Sequence, residues 1–274
     1  MFKIIIMALL IFIGMVGYDN ITDKAQPTTP IQQEQQKVSK HEKSAAMALF
    51  TSLLPPKEEW PSPVHKFYLA FNMDEVIDPI RQNPNWTSLD AMSRDIPQAL
   101  IAIEDHAFYN HGAIAVEGIL RAALANINAG EVVQGGSTLT QQFVKNVFLS
   151  HEQSMERKIE EAVLSLMLED NYSKDEILEL YLNTTYFGAG PTGITQASRT
   201  SFGHAPSALT LAEAAVIASL PYAPTSLNPL ENPEGCKKRQ LLVLAAMHKY
   251  GMINQGQLAE AKTEKIRLTN GTIM

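Results

Sequence analysis

At Gln134-Gly-Gly-Ser-Thr-Leu-Thr-Gln-Gln142 the chain sets glycine, hydroxyl and amide residues almost without interruption. A packed core does not need such a run, whereas exposed backbone N–H groups, hydroxyls and amides can bind an anionic, polar ligand. The acidic pair Glu104-Asp105 lies upstream, and the mixed cluster Arg157-Lys158-Ile-Glu-Glu161 lies downstream. Together these segments indicate either a site for transfer chemistry on a phosphorylated sugar or, more simply, a polar turn that leads into a helix.

The segments around this run have helical periodicity. Apolar residues between 116 and 127 follow the i, i+3, i+4 template. Ser173-Lys-Asp-Glu176 and Thr210-Leu-Ala-Glu213 are capping-box signatures, and the second opens an Ala-rich stretch that we expect to be a buried helix. The periodic stretch 238–250 stops at Gly251, a typical C-cap residue. Because few stretches alternate with period two, the sequence predicts a mainly α-helical domain with at most a minor sheet.

The N-terminal segment predicts a membrane anchor. Residues 2–18 are almost wholly apolar apart from Lys3, and their length is near the lower limit of about 17 residues for a membrane span. A cleavage after Gly17 would place Met15 at the −3 position, where a small residue is needed, so an uncleaved anchor is favoured over a cleaved signal peptide. Lys3 before the span and Asp19 after it predict a cytoplasmic N-terminus and an extracytoplasmic remainder. We expect an anchor over residues 1–19, a flexible linker over 20–45 and one sizeable domain over 46–274.

The composition limits the partners. The chain has 22 basic and 29 acidic residues, a net charge of −7, whereas a nucleic-acid-binding protein needs a basic surface. We therefore expect no nucleic acid partner.

Cys236 is the single cysteine, so no internal disulfide can form. Its basic neighbours Lys237 and Lys238 could make it reactive, although an incidental thiol is the favoured interpretation.

Glu104 is the candidate general base or acid. It ends an apolar run, and a carboxyl group at the edge of an apolar wall has its pKa raised by desolvation, as a catalyst near neutral pH requires. The alternative is that Glu104 and Asp105 only cap a helix end. Downstream, Arg157 and Lys158 could bind a diphosphate, or they could form a solvated face paired with neighbouring glutamates.

Two motifs are weaker than they look. Gly188-Ala-Gly-Pro-Thr-Gly193 fits G-x-G-x-x-G, but a dinucleotide site needs a strand before it, and here a predicted helix precedes. His106 and His111 are five residues apart and match no helical metal-ligand spacing. We expect one of them to orient Glu104 or to fill a local hydrogen bond.

Five ordered blocks carry a resemblance to a known family. They are Glu104-Asp-x-x-Phe-Tyr-x-His111, Gly135-Gly-Ser-Thr-x-Thr-Gln-Gln142, Arg157-Lys-x-x-Glu161, Lys174-Asp-Glu-Ile-Leu-Glu-Leu-Tyr-Leu-Asn183 and Arg239-x-x-x-Val-Leu244. Together they resemble the peptidoglycan glycosyltransferases, which are the transglycosylase module of penicillin-binding proteins and its stand-alone monofunctional form. The resemblance covers residues 88–250, the motif-bearing core.

The resemblance implies a lysozyme-like helical fold and the polymerisation of lipid II. Glu104 would remove the proton from the acceptor's 4-hydroxyl, and Glu161 would be the second carboxylate, near the donor's diphosphate. Undecaprenyl diphosphate would leave with inversion at the sugar carbon, stabilised by cations. The implied substrate-binding residues are Ser137, Thr138, Gln141, Gln142, Lys145, Arg157, Lys158 and Asn183.

The resemblance also implies partners. We expect lipid II, the growing glycan strand and the membrane bilayer, together with proteins of cell-wall synthesis or division. No cofactor is required and the sequence shows no dedicated metal site, although a divalent cation such as Mg or Mn could assist at the diphosphate. Because Ser-x-x-Lys and Lys-Thr-Gly are absent from the sequence, we expect no transpeptidase activity.

Several positions depart from the family pattern, and two other functions compete. Where the family has glycine, acidic or basic residues, this chain has Ala113, Ala115, Gln153, Thr195 and Gln240. One competing function is a glycan-cleaving muramidase or lytic transglycosylase on the same fold, which would not need the cations. The other is an inactive scaffold in cell-wall assembly, against which the presence of both carboxylates weighs.

Overall fold

The computed structural model describes residues 68–69, 72–130, 135–149, 154–188, 190 and 192–274. The chain divides into two compact units, Met1–Val76 and Ile77–Met274. The predicted anchor over 1–19 and linker over 20–45 lie outside the described residues. Within the described residues, no helix is both long enough and apolar enough to cross a membrane.

Helices make up nearly all of the regular structure that is described. The α-helices are α1 Asp74–Arg81, α2 Asp95–Glu104, α3 Val116–Ala129, α4 Leu139–Phe148, α5 Met155–Asn171, α6 Lys174–Thr184, α7 Ile194–Phe202, α8 Leu211–Ser219, α9 Pro233–Lys249 and α10 Gln255–Thr263. Short 3-10 helices span Leu89–Ala91, Phe108–Asn110, Pro206–Ala208 and Leu220–Tyr222. An isolated antiparallel bridge joins Arg267 to Ile273. The prediction of a mainly α-helical domain is confirmed, whereas the lysozyme-like topology stays a prediction.

The helix starts follow from capping chemistry. Thr138, Ser173, Thr210 and Asn254 each form a complete capping box with the residue three positions on, which satisfies backbone N–H groups that a helix start leaves unpaired. The predicted starts after Ser173 and Thr210 are thereby confirmed. At the end of α9, Gly251 has a φ of +73°, so the predicted glycine stop is also confirmed.

The core is built around α8. Every residue from Ala212 to Ser219 is buried, because α8 packs against both α2 and α9, which also pack against each other. This confirms the predicted buried Ala-rich helix. A second layer is formed by α4, which packs against α5 and α6. The last residue of α2 and the first turns of α4 and α5 carry the residues singled out in the sequence.

Helix α3 is the exception to the burial pattern. Its periodicity predicts a helix, and the helix is present. However, Val116, Leu120, Leu124 and Ile127 are 60–75% exposed. These four side chains therefore contribute little to the core of the domain.

Candidate active site

Glu104 ends α2 and is held by a relay of side-chain hydrogen bonds. Gln142 Nε2 on α4 donates to Glu104 Oε2 at 3.0 Å, and the buried Tyr181 on α6 donates its hydroxyl to Gln142 Oε1 at 3.1 Å. Because Gln142 receives one hydrogen bond and donates the other, its amide orientation is fixed. The relay fixes the position of the carboxylate while Glu104 remains partly exposed.

The surroundings of Glu104 raise its pKa. Burial is the largest influence and raises the pKa. The hydrogen bond from Gln142 and the charges of Arg239 and Lys145 lower it, but by less. The net result is a raised pKa, as predicted from the apolar run, so the ionised carboxylate is a stronger base than an exposed glutamate.

Asp105, the next residue, joins α2 to the start of α4. It is buried, and its Oδ2 accepts a hydrogen bond from the Leu139 backbone N–H at 3.0 Å. Its Oδ1 lies 2.6 Å from His111 Nε2, and His111 Nδ1 lies 2.6 Å from the Gly112 carbonyl oxygen. Since both partners of the imidazole are acceptors, both ring nitrogens carry protons. Asp105 therefore acts as more than a helix cap, and His111 fills a local hydrogen bond, as one of the two histidines was predicted to do.

His111 has a raised pKa for the same reason. Burial opposes its charged form, but the hydrogen bonds to Asp105 and Gly112 outweigh burial and raise the pKa. The ion pair lies within the segment after α2, and the hydrogen bond from the Leu139 backbone N–H to Asp105 Oδ2 joins this segment to the start of α4.

The turn before α4 is built by two of the predicted substrate-binding residues. Thr138 Oγ1 donates to the Ala113 carbonyl oxygen at 2.8 Å and accepts from the Gln141 backbone N–H at 3.1 Å. Gln141 Oε1 accepts from the Thr138 backbone N–H at 3.1 Å. Both side chains are buried. The geometry gives Thr138 and Gln141 the role of forming the turn, and their contact with a substrate stays a prediction.

A glycine in this turn allows close packing. A Cβ placed on Gly136 would lie 3.0 Å from Ile119 Cα on α3, a distance that real Cβ atoms rarely show. The polar run thus contains small residues because its backbone approaches α3 closely. Ser137, which follows, is partly exposed.

The cations of the third block surround a buried carboxylate. Glu161 on α5 is 1% exposed. Lys158 Nζ donates to Glu161 Oε1 and also to Ser137 Oγ, the latter at 3.1 Å, while Arg157 Nη1 lies 3.9 Å from Glu161 Oε2. Pairing with glutamate is therefore observed, yet Lys158 also links α5 to the predicted binding turn. Within the described residues, Arg157 Nε is buried with no hydrogen-bond partner.

Asn183 on α6 makes three hydrogen bonds, two of which join α6 to the segment before α2. Its Nδ2 donates to the carbonyl oxygens of Thr87 and Glu179, both at 2.9 Å, and its Oδ1 accepts from the Thr87 backbone N–H at 3.0 Å. These bonds use both amide hydrogens of the buried residue, so Asn183 fixes the segment before α2 to α6. Its contact with a substrate stays a prediction.

The departures from the family pattern have structural roles where they are described. Thr195 Oγ1 lies 2.6 Å from Thr87 Oγ1, and Gln240, fully buried, donates to the Ala212 carbonyl oxygen at 2.8 Å. Ala113 is buried and supplies the carbonyl that Thr138 binds. Gln153 lies outside the described residues.

Arg239 is a site residue that the sequence-based prediction omitted. It was recognised only as the first residue of the fifth block. Its guanidinium carbon lies 4.0 Å from the centroid of the Tyr222 ring, and its charge lowers the pKa of Glu104. The fifth block marked Arg239 in the sequence, but no local sequence pattern predicts that α9 lies beside the end of α2.

The glycine motif at 188–193 is not a dinucleotide site, because helix α6 rather than a strand precedes it. Its Gly188 is required for packing, since a Cβ there would lie 2.0 Å from the Pro224 carbonyl oxygen. Burial raises the pKa of Cys236 to about 11, which makes the thiol unreactive.

Among the residues that the structure describes, no three His, Cys, Asp or Glu side chains form a metal-binding group. Glu161, the carboxylate predicted to lie near the diphosphate, is already paired with Arg157 and Lys158. Assistance by Mg or Mn stays a prediction.

Comparison with known proteins identifies relatives. A sequence profile of the family described as Transglycosylase matches residues 73–248. A protein of Cupriavidus necator, provisionally named a transglycosylase, is 40% identical over 194 residues, which are 71% of this chain and 84% of that protein. Penicillin-binding protein 1A of Neisseria flavescens is 43% identical over 185 residues, 68% of this chain and 23% of that protein. Penicillin-binding protein 1A/1B of Bacillus subtilis is 41% identical over 197 residues, 72% of this chain and 22% of that protein. The matched region thus spans less than a quarter of these two penicillin-binding proteins.

Proposed function

The chain belongs to the transglycosylase family, and we propose that it polymerises lipid II into the glycan strands of peptidoglycan. The reaction joins the 4-hydroxyl oxygen of an acceptor sugar to C1 of a donor sugar. The bond between C1 and the diphosphate oxygen breaks, and its electron pair leaves with undecaprenyl diphosphate. The configuration at C1 inverts because the acceptor oxygen attacks from the opposite side.

Glu104 is the general base in this proposal. Its carboxylate takes the proton of the 4-hydroxyl as the new C–O bond forms. Support comes from the hydrogen bond of Gln142, which aims the carboxylate, and from burial, which raises its pKa. The charges of Arg239 and Lys145 favour the ionised carboxylate and so oppose the effect of burial. This placement of Glu104 is the observation that carries the proposal.

Lys145, Arg157 and Lys158 stabilise the departing diphosphate. Negative charge builds on the leaving oxygens as the C1–O bond breaks, and fixed cations lower the energy of that transition state. Glu161 positions Arg157 and Lys158 by pairing with both, and Ser137 positions Lys158 from the other side. Glu161 is therefore a positioning residue rather than an acid or base.

The location and partners follow from the same proposal. The substrate carries a lipid, so the domain works at the outer face of the cytoplasmic membrane, held by a single span near the N-terminus. The partners are lipid II, the growing strand, the bilayer and other proteins of cell-wall synthesis or division. The proposed activity does not include transpeptidation.

The test is an incubation of the full chain in detergent with lipid II. We expect a polymer and one undecaprenyl diphosphate released for each bond formed. A parallel incubation with preformed uncross-linked glycan strands tests the glycan-cleaving alternative. Shortening of those strands without any polymer from lipid II would assign the site to cleavage, and the absence of both reactions would favour a scaffold.

A further inference from the structure

A second group of cations lies beside the proposed base, away from the third block. The ring of His106 stacks on the ring of Tyr250, with centroids 4.2 Å apart and planes at 21°. Arg121 Nη1 on α3 lies 3.5 Å from His106 Nε2, and Lys249 Nζ lies 5.1 Å from the Tyr250 centroid. The segment after α2, the middle of α3 and the end of α9 therefore bring three basic side chains to one place.

Among the ion pairs of the described residues, none involves Arg121 or Lys249. Glu117, four residues before Arg121 on α3, is exposed and forms none with it. The acid that faces His106 is Asp105, and both of its oxygens are already used by His111 and the Leu139 N–H. Although the chain has a net charge of −7, Arg121 and Lys249 thus present two positive charges that no ion pair of the described residues neutralises.

The positive charges around His106 affect its pKa. Burial lowers the pKa of His106, the charges of Arg121, Lys249 and His111 lower it further, and Asp105 opposes them. The neutral ring accepts the hydrogen bond of Arg121 at Nε2. An anion bound between Arg121 and Lys249 would favour the protonated ring and add a third donor.

The cation group adjoins an apolar surface. Arg121 follows Leu120, which is 60% exposed, and lies one turn before Leu124, which is 63% exposed. An exposed apolar helix face with basic side chains at its edge is the arrangement of protein surfaces that bind anionic lipids. Neither a soluble anion nor an acidic peptide explains the exposed leucines.

We propose that His106, Arg121 and Lys249 bind the phosphate of an anionic phospholipid headgroup, whose acyl chains lie against the exposed face of α3. Arg121 and Lys249 contact the phosphate oxygens, and the stack on Tyr250 holds His106 toward them. The ligand is a bilayer lipid that the enzyme does not consume, so this inference goes beyond the proposed function. It would couple the position of Glu104, two residues before His106, to contact with the membrane.

The experiment is an NMR titration of the full chain in detergent micelles, with labelled histidine side chains. We expect dihexanoyl phosphatidylglycerol, but not dihexanoyl phosphatidylcholine, to shift the His106 ring signals and to raise the midpoint of its titration with pH. The double variant Arg121→Gln/Lys249→Gln should bind phosphatidylglycerol on the order of tenfold more weakly. The control Lys262→Gln/Lys265→Gln removes the same charge from exposed positions on and after α10 and should bind like the parent chain.

Two outcomes would overturn the inference. One is equal weakening in the control variant, which would show only a general charge effect. The other is a His106 response to geranyl diphosphate with none to phosphatidylglycerol, which would assign the cations to a substrate diphosphate. Because binding is measured without turnover, a chain inactive on lipid II could still satisfy the test, so the two proposals fail separately.

Discussion

At the scale of the residue, Glu104 lies between opposing electrostatic influences. Burial raises its pKa, while Gln142 and two cations lower it. A carboxyl group in fully apolar surroundings would stay protonated, and one in water would be a weak base. The net effect is a raised pKa, so the ionised form of Glu104 is a stronger base than an exposed glutamate, as the proposed proton transfer requires.

We expect Glu104→Gln to abolish polymerisation while the protein stays folded. The amide has nearly the same shape but cannot accept the acceptor's proton, and loss of a general base typically lowers the rate by about 10²–10⁴. Polymer yield from lipid II and the melting temperature are the two measurements. Polymerisation at the parent rate would show that another residue is the base.

We expect Lys145→Ala to lower the maximal rate strongly and to change the apparent KM less. A cation that stabilises the departing diphosphate acts mainly in the transition state. Because Lys145 is exposed, the melting temperature should change little. Lys265→Ala, an exposed charge elsewhere, is the matched control. A large rise in KM with an unchanged maximal rate would instead assign Lys145 to substrate capture.

His111 predicts a pH dependence of stability. Its pKa is raised in the folded state, so its contribution is fully present below the unfolded value of about 6.5 and is lost as the pH rises through the folded pKa. His106, with a lowered pKa, has the opposite effect, so total stability does not isolate His111. The difference in unfolding free energy between the parent chain and His111→Gln should shrink as the pH rises above about 6.5. A difference that is constant from pH 5 to 9 would contradict the charged pair with Asp105.

At the scale of the element, the start of α4 connects the parts of the site. The Thr138 cap begins the helix, the buried hydroxyl binds the Ala113 carbonyl, and Gln142 lies in the first turn. The hydrogen-bond relay that holds Glu104 therefore depends on where α4 begins. The polar residues at the start of α4 therefore have a role in folding, besides any role in binding.

We expect Thr138→Ala to destabilise the domain more than Ser173→Ala does. Both changes remove a capping-box hydroxyl, which typically costs about 1 kcal/mol. Thr138→Ala also leaves the buried Ala113 carbonyl without its partner, which adds about 1–3 kcal/mol, whereas Ser173 is exposed. Chemical denaturation of the two variants measures the difference. Equal losses would mean that the Ala113 contact contributes nothing.

At the scale of the whole molecule, α3 exposes large apolar side chains that a helix in a globular domain usually buries. Its apolar side chains project outward, and contiguous exposed apolar patches generally mark an interaction surface. An enzyme that takes a lipid-linked substrate from a bilayer needs such a surface. We therefore expect α3 to face the membrane.

We expect Leu120→Ser/Leu124→Ser/Ile127→Ser to weaken the binding of the domain, freed of residues 1–44, to liposomes. Since these side chains are already exposed, the melting temperature should hardly change. Leu242→Ser/Ile273→Ser alters exposed apolar residues on other elements and is the control. Full activity on lipid II with no liposome binding by the unsubstituted domain would remove the membrane role of α3.

The sequence by itself determined several of the helices and the caps at Ser173 and Thr210, because each depends on residues a few positions apart. It also indicated the raised pKa of Glu104 from the apolar run before it, although the burial that raises this pKa is a property of the tertiary structure. Only the tertiary structure decided which residues surround Glu104. Gln142 is 38 positions away, Arg239 is on α9, and Asn183 turned out to bind Thr87, 96 positions away. It also decided that the periodic face of α3 is exposed, since periodicity marks an apolar face but not what covers it. Such contacts depend on how helices pack, and no local pattern encodes the angle and register of packing.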